Sequence, residues 1–229
     1  LCANAFYRYG FTGTFIRPDG RDMEMHGLLS RVVFTKTTSE LIEEGYLVRP
    51  YITIYRYQLP KMKLNYADAY NYITQDYGFH KMVAEIANRL IDEGKQTLIL
   101  VRRKEHGRIL EELIPNAIYL SGDDDLDHRN RVKQSFIKKK IRGIIATNIF
   151  GEGQDIPSID ALINARAQKT EVQTSQGIGR ALRKFEGKDK AEVFDFLFIG
   201  QKHLQAHSVE RIQSYQKEPA FKIQVRRPD

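Results

Sequence analysis

The chain has very little cysteine, no tryptophan and no long apolar segment, and two of these absences are informative. A single cysteine, Cys2, excludes an internal disulfide and any zinc site built from cysteines. The longest apolar runs are only as long as a β-strand, so the sequence predicts no membrane-spanning helix. No signal peptide is visible. We therefore expect a reducing, intracellular setting, namely the cytoplasm.

Positive charge is in excess. The chain has 36 lysines and arginines against 29 acidic residues, which gives a formal net charge of +7. This balance favours a polyanionic partner such as a nucleic acid. The cations gather in short clusters at residues 102–104, 138–142, 180–184 and 226–227. Each cluster by itself is typical of a solvated face, so charge alone does not establish the partner.

Apolar patterns predict alternating strands and helices. Helical spacing predicts helices at residues 37–45, 79–94, 104–113, around 132–137 and around 209–215. Apolar or alternating runs predict strands at residues 32–34, 51–57, 97–101, 117–120, 144–146, 159–163 and 193–198. Alternation of this kind is typical of an α/β fold, with a mostly parallel sheet covered by helices on both faces.

The most informative stretch runs from Gly143 to Lys184. Its first half, GIIATNIFGEGQDIP, is a buried strand that leads into a loop containing Gly151, Gly153 and Asp155. Asp155 by itself is also typical of a simple turn.

The second half, VQTSQGIGRALRKF, predicts a short amphipathic helix. At about 100° per residue, Gln176, Arg180 and Arg183 share one face. The opposite face carries the apolar residues Ile178, Leu182 and Phe185.

These two halves carry a resemblance to a known family. ATNIFGEGQDIP resembles motif V of superfamily 2 helicases, and QGIGRALR resembles their motif VI, in the usual order. Near the start, Gly10 to Thr14 resembles motif III, which closes the first RecA-like lobe. The segments SELIEEGYLVRPYITIYRY and HSVERIQSYQKE are similar to the XPB-like and phage UvsW-like branch.

The resemblance implies a domain organisation. Residues 1–45 would be the C-terminal end of a first RecA-like lobe, and residues 46–200 a second RecA-like lobe of the P-loop NTPase type, the helicase C-terminal domain. Residues 201–229 would be a C-terminal extension.

The resemblance also implies a nucleotide site. Arg180 and Arg183 match the arginines that reach the γ-phosphate of ATP across the lobe interface, and Gln176 matches a residue that helps to hold it. Gly153 and Asp155 match positions that face the nucleotide. ATP would bind with Mg²⁺, held mainly by the first lobe. The histidines show no ligand spacing, so we expect no metal site in the chain itself.

A nucleic-acid track is implied at the ends of the strands, most of all for DNA. Thr147 and Arg102 match side chains that contact the phosphate backbone, and Ser121 with Gly122 matches a loop whose amide does so. Contacts of this kind do not read base sequence. Thr12, Gly13 and Thr14 of motif III would couple the lobes.

One motif is missing. The chain contains no G-x-x-x-x-G-K-[ST] phosphate loop and no Asp-Glu box before motif III. We therefore expect the C-terminal half of a larger ATP-dependent DNA helicase or translocase of recombination or repair, with the N-terminal lobe as its partner. A restriction-enzyme motor subunit, an RNA helicase and a non-catalytic nucleic-acid-binding module stay open as alternatives.

The missing phosphate loop generates a first prediction. The purified 229 residues should show no ATP hydrolysis stimulated by nucleic acid, because phosphoryl transfer needs the loop and the metal held beside it. A phosphate-release assay with and without DNA measures this. Turnover above background that survives substitution of Arg180 would show that the active site has been misplaced.

Overall fold

The computed structural model describes residues 6–11, 22–29, 31–147, 158–168, 178–179 and 181–226. The chain divides into two compact units, residues 1–37 and 38–229. The first unit contains helix α1 (Asp22–Leu29). The predicted strand at residues 32–34 is wrong: these residues are irregular and exposed, and they pair with no strand among the described residues. An apolar run becomes a strand only when a neighbouring strand takes its hydrogen bonds.

The described part of the second unit is built from alternating helices and strands. Its helices are α2 (Thr38–Glu43), α3 (Tyr66–Gln75), α4 (Tyr77–Asp92), α5 (Lys104–Leu113), α6 (Leu126–Ile137) and α7 (Lys202–Gln216). Its strands are β1 (Arg49–Gln58), β2 (Thr97–Leu100), β3 (Ala117–Leu120), β4 (Gly143–Ala146), β5 (Ala161–Asn164), β6 (Lys190–Ile199) and β7 (Lys222–Arg226). Helix α4 ends before Gly94, whose φ of +83° suits glycine at a helix end.

The seven strands form one sheet in the order β3-β4-β2-β5-β6-β1-β7, and every pairing is parallel. The central strands β2, β4 and β5 are buried along their whole length, as their continuous apolar sequences predict. One face packs against α3, α4 and α5, and the other against α6 and the segment around Ile178 and Leu182. The predicted α/β class with a parallel sheet covered on both sides is confirmed.

Two elements lay beyond the sequence analysis. The tyrosine-rich segment before α4 has no clean period, yet it contains α3, which begins after the N-cap Asn65. The basic tail forms β7, which pairs with β1 from Tyr51 to Tyr55. Its sequence KIQVR alternates polar and β-branched residues as a strand does, a signal that the sequence analysis did not use. The limits 1–45, 46–200 and 201–229 stay predictions.

A buried ion pair joins α7 to the sheet. Arg211 donates from Nε and Nη2 to the two carboxylate oxygens of Asp195 in β6, at 2.9 Å each, and both side chains are about 1% exposed. The Tyr215 hydroxyl donates to Asp195 at 2.5 Å, and Arg211 Nη1 donates to the Gln168 carbonyl at 2.5 Å. Burial, reinforced by the charge of Asp195, raises the pKa of Tyr215, so the hydroxyl keeps its proton.

Among the described residues, no helix is both long and apolar enough to cross a membrane.

The ion pair generates a second prediction. Arg211→Met should lower the free energy of unfolding by about 3–5 kcal/mol, because it leaves the Asp195 carboxylate buried without its partner. The double variant Arg211→Met with Asp195→Asn should cost less than the sum of the two single changes. Urea denaturation measures all three, with exposed Lys222→Met as control, expected within about 0.5 kcal/mol of wild type. Additive costs would contradict the coupling.

Candidate nucleic-acid interface and nucleotide site

Four adjacent strands end at the same level of the sheet. The last residues of β3, β4, β2 and β5 are aligned in register: Leu120 with Ala146, Ala146 with Leu100, and Leu100 with Asn164. The chain therefore leaves the sheet along one edge at four neighbouring points about 4.8 Å apart. We call the residues that follow these strands the carboxyl-end row: Ser121, Gly122, Thr147, Arg102, Arg103 and Arg166. The structure thus brings together four predicted nucleic-acid residues.

Helix α3 supports the arginines that follow β2. The guanidinium carbon of Arg102 lies 5.1 Å from the centre of the Tyr70 ring, and that of Arg103 lies 5.5 Å from it. Arg103 also donates to the side chain of Asn71. Burial raises the pKa of Tyr70 to about 12, although the two arginines oppose this, so the ring stays neutral beneath them. The Tyr70 ring thus packs between α3 and the residues that follow β2, and it orients the exposed side chain of Arg102.

The loop after β3 uses its own acidic residues to hold its shape. The Ser121 amide donates to the Asp124 carboxylate, and the Asp123 amide donates to the Ser121 hydroxyl at 3.2 Å. Asp123 is also paired with Lys104 at the start of α5. Gly122 is exposed, and a side chain there would meet nothing within 4 Å. Gly122 therefore offers the more open backbone for a phosphate, whereas the Ser121 amide is already engaged.

Thr147 and Arg166 complete the carboxyl-end row. Thr147 follows β4 and is half-buried. Arg166 follows β5, and its Nε donates to the Asn164 side chain at 3.1 Å. Burial lowers the pKa of Arg166 to about 10, so it remains a cation at neutral pH. The sequence analysis missed Arg166, although its place just after a predicted strand is the same signal that singled out Arg102.

Arg183 lies at the other end of the strands. The Leu182 carbonyl accepts a hydrogen bond from the Val48 amide at 2.8 Å, and Arg183 forms an antiparallel bridge with Leu47. Since β1 begins at Arg49, this places Arg183 near the amino ends of the strands, away from the carboxyl-end row. Leu182 is fully buried and Arg183 is exposed, as predicted. The predicted helix up to Phe185 is wrong at its end, because the last described helical residue is Ala181 and Arg183 pairs with Leu47 instead.

A buried lysine follows Arg183. Lys188 is 6% exposed, and its ammonium donates to the carbonyl of Ala181 at 2.5 Å. Burial lowers the pKa of Lys188 to about 8, and the negative charge of Asp160 opposes this shift. The sequence shows only an ordinary lysine in a charged turn, so no pattern marks it.

The other predicted nucleotide residues, Gly153, Asp155, Gln176 and Arg180, lie outside the described residues. So do Thr12, Gly13 and Thr14 of motif III.

The comparison with protein families defines the class. Residues 80–185 match the helicase conserved C-terminal domain. Within this range lie β2 to β5 with their carboxyl ends, and the segment that carries Arg183. This part of the chain is therefore similar to the C-terminal domain of superfamily 2 helicases, as the motifs predict.

Individual relatives indicate the branch. The ATP-dependent DNA helicase uvsW of Enterobacteria phage T4 is 24% identical over 243 residues, covering 94% of this chain and 48% of that protein. The crystal structure of T4 UvsW superposes with a TM-score of 0.67 at 21% identity, covering 80% of this chain and 42% of that one. The UvsW-like resemblance is confirmed.

Two further proteins show how widely the domain occurs. "Putative ATP-dependent helicase IRC3" of Saccharomyces cerevisiae is 25% identical over 208 residues, covering 82% of this chain and 29% of that protein. A fragment of "a putative HsdR subunit of a type I restriction enzyme" from Vibrio vulnificus YJ016 has a TM-score of 0.68 at 15% identity, covering 94% and 43%. The chain spans less than half the length of these curated relatives.

The carboxyl-end row generates a third prediction. Arg102→Gln should weaken binding to single-stranded DNA and lower the slope of log affinity against log salt by about 0.7, because one phosphate contact is lost. Fluorescence anisotropy from 50 to 200 mM salt, with two unrelated oligonucleotides, measures this.

Lys222→Gln is the matched control, since it removes the same charge at the amino end of β7. An equal loss in both variants would mean that net charge, not the row, sets the affinity. Strong dependence on base sequence would contradict contacts that address only the backbone.

Proposed function

We propose that the chain is the C-terminal half of an ATP-dependent helicase or translocase that acts on DNA in recombination or repair. The observation that carries this proposal is the carboxyl-end row. Four parallel strands in register deliver Gly122, Thr147, Arg102 and Arg166 to one edge within a helicase C-terminal domain. The activities named for uvsW and IRC3 support the ATP-dependent step, and that of uvsW supports DNA as the substrate.

The two ends of the strands would serve two ligands. The row at the carboxyl ends would follow a phosphate backbone, with contacts that do not depend on base sequence. Arg183, near the amino ends, would act with Arg180 and Gln176 on the γ-phosphate of ATP, while Gly153 and Asp155 face the nucleotide. A guanidinium suits this role because it stays charged and donates two parallel hydrogen bonds to phosphate oxygens.

The remaining parts of the site would come from a first RecA-like lobe. That lobe would supply the phosphate loop and hold most of the Mg²⁺ that accompanies ATP. Binding of ATP between the lobes would favour their closure, and hydrolysis would release it. Repeated closure, coupled through Thr12, Gly13 and Thr14, would move the row along a strand. The cytoplasm would be the site of this activity.

The alternatives are weaker on the same observations. Likeness to the HsdR fragment at 15% identity shows the fold alone, so it does not favour a restriction motor. RNA as substrate is not favoured by the likeness to uvsW, which is named as a DNA helicase. A non-catalytic module is not favoured by the likeness to uvsW and IRC3, both of which are named as ATP-dependent helicases.

The proposed ATP site generates a fourth prediction, for the full-length protein. Arg183→Ala should lower the rate of ATP hydrolysis by about 10³-fold or more, since arginine fingers contribute 10³ to 10⁵. Its melting temperature and DNA affinity should stay near wild type, because the side chain is exposed and far from the row. Arg183→Lys should restore little, because an ammonium lacks the planar fork.

Leu182→Ala is the opposite control. This side chain is fully buried, so the change should cost about 2–5 kcal/mol of stability. Hydrolysis per folded molecule should be largely kept. If Arg183→Ala unfolds the protein while hydrolysis per folded molecule is unchanged, the arginine is structural and the motif VI assignment is wrong.

A further inference from the structure

Lys188 occupies a position that packing alone does not explain. Lysine is almost never fully buried unless its charge is paired or hydrogen-bonded. Here the ammonium is buried and donates to the main-chain carbonyl of Ala181, two residues before Arg183. We infer that Lys188 is a positioning residue, whose ammonium holds the carbonyl end of the helical turn that comes just before Arg183.

The hydrogen bonds of this region support the inference. The Leu182 amide donates to the Ile178 carbonyl at 2.9 Å, which is the last described bond of the helical turn. The Ala181 and Leu182 carbonyls lie at the end of this turn, where main-chain carbonyls lack a helical partner. Lys188 takes the carbonyl of Ala181, and Val48 takes that of Leu182. The two donors are a lysine ammonium and a main-chain amide, and they hold the backbone just before Arg183 from two sides.

Lys188 also donates a hydrogen bond to the chain that follows Arg183. The Lys188 amide donates to the Phe185 carbonyl at 3.0 Å, while its side chain reaches back to Ala181. Lys188 therefore holds both ends of the segment from Ala181 to Phe185, which contains Arg183. Asp160 supplies a negative charge nearby, which partly offsets the cost of burying the ammonium.

The location predicts which property will change. Lys188 lies with Arg183 near the amino ends of the strands, and the carboxyl-end row lies across the sheet. Loss of the tie should loosen Arg183 and leave DNA binding unchanged. Misplacement of a reacting group by about 1 Å can cost about 100-fold in rate. This consequence rests on the proposed function, whereas the loosening itself does not.

The first experiment needs no activity. Hydrogen exchange of the 229-residue chain compares wild type with Lys188→Met, which keeps the length of the side chain but removes the donor, and with Lys188→Arg. Peptides covering residues 178–183 and 47–49 should exchange about tenfold faster in Lys188→Met, since a bond from a charged group is lost. Lys188→Arg should restore protection. Unchanged exchange in these peptides would overturn the inference, as would equal acceleration in β2, which would indicate general destabilisation.

The second experiment uses the full-length protein. Lys188→Met should lower kcat for DNA-stimulated ATP hydrolysis by about 100-fold, with KM for ATP and affinity for DNA nearly unchanged. Lys188→Arg should recover most of the rate, and exposed Lys190→Met should behave as wild type. Full activity in Lys188→Met would overturn the positioning role. An inactive wild-type protein would instead count against the proposed function, and the exchange experiment would still decide the inference.

Discussion

The fold depends on one buried charge. Asp195 lies inside β6, where a lone carboxylate would be costly, and Arg211 of α7 neutralises it with two hydrogen bonds. The need to pair the Asp195 carboxylate with Arg211 fixes the orientation of α7 on the sheet. Through Nη1, Arg211 also holds the Gln168 carbonyl, and the Asn164 amide lies 3.3 Å from the same carboxylate. The ion pair therefore joins the C-terminal helix to the end of β5, where the carboxyl-end row begins.

A second constraint is the parallel register. Parallel strands need crossover connections that return the chain to the amino ends of the strands. Each strand therefore ends at the same, carboxyl, edge of the sheet. Polar residues that are far apart in sequence, such as Arg102 and Arg166, thereby become neighbours. The segment with Arg183 and Lys188 lies at the opposite edge, near the amino ends of the strands. One sheet thus separates the arginines of the carboxyl-end row from Arg183.

Much of this arrangement could be predicted from the sequence. Continuous apolar runs such as TLILV identified central strands, and the motif V and motif VI residues identified the class. What was missed depends on tertiary contacts. The short strand β7 has an alternating pattern over only five, mostly exposed residues, and its pairing depends on the hydrogen bonds that β1 offers. The run from Val32 to Phe34 is apolar, as a strand can be, yet it lacks a partner strand among the described residues. The burial of Lys188 depends on where the chain returns, which no local pattern encodes.

The tail has a consequence for anyone who shortens the protein. Strand β7 covers the outer edge of β1, and Glu218 accepts hydrogen bonds from the amide and hydroxyl of Ser39 at 3.2 and 2.7 Å. A chain cut at residue 200 would lose the counterion of Asp195 and uncover unpaired amides beside Ile52 and Ile54. Exposed, flat, apolar strand edges recruit other chains. Such a fragment would be prone to aggregate, so residues 201–226 work as a cover for the sheet as well as a continuation of it.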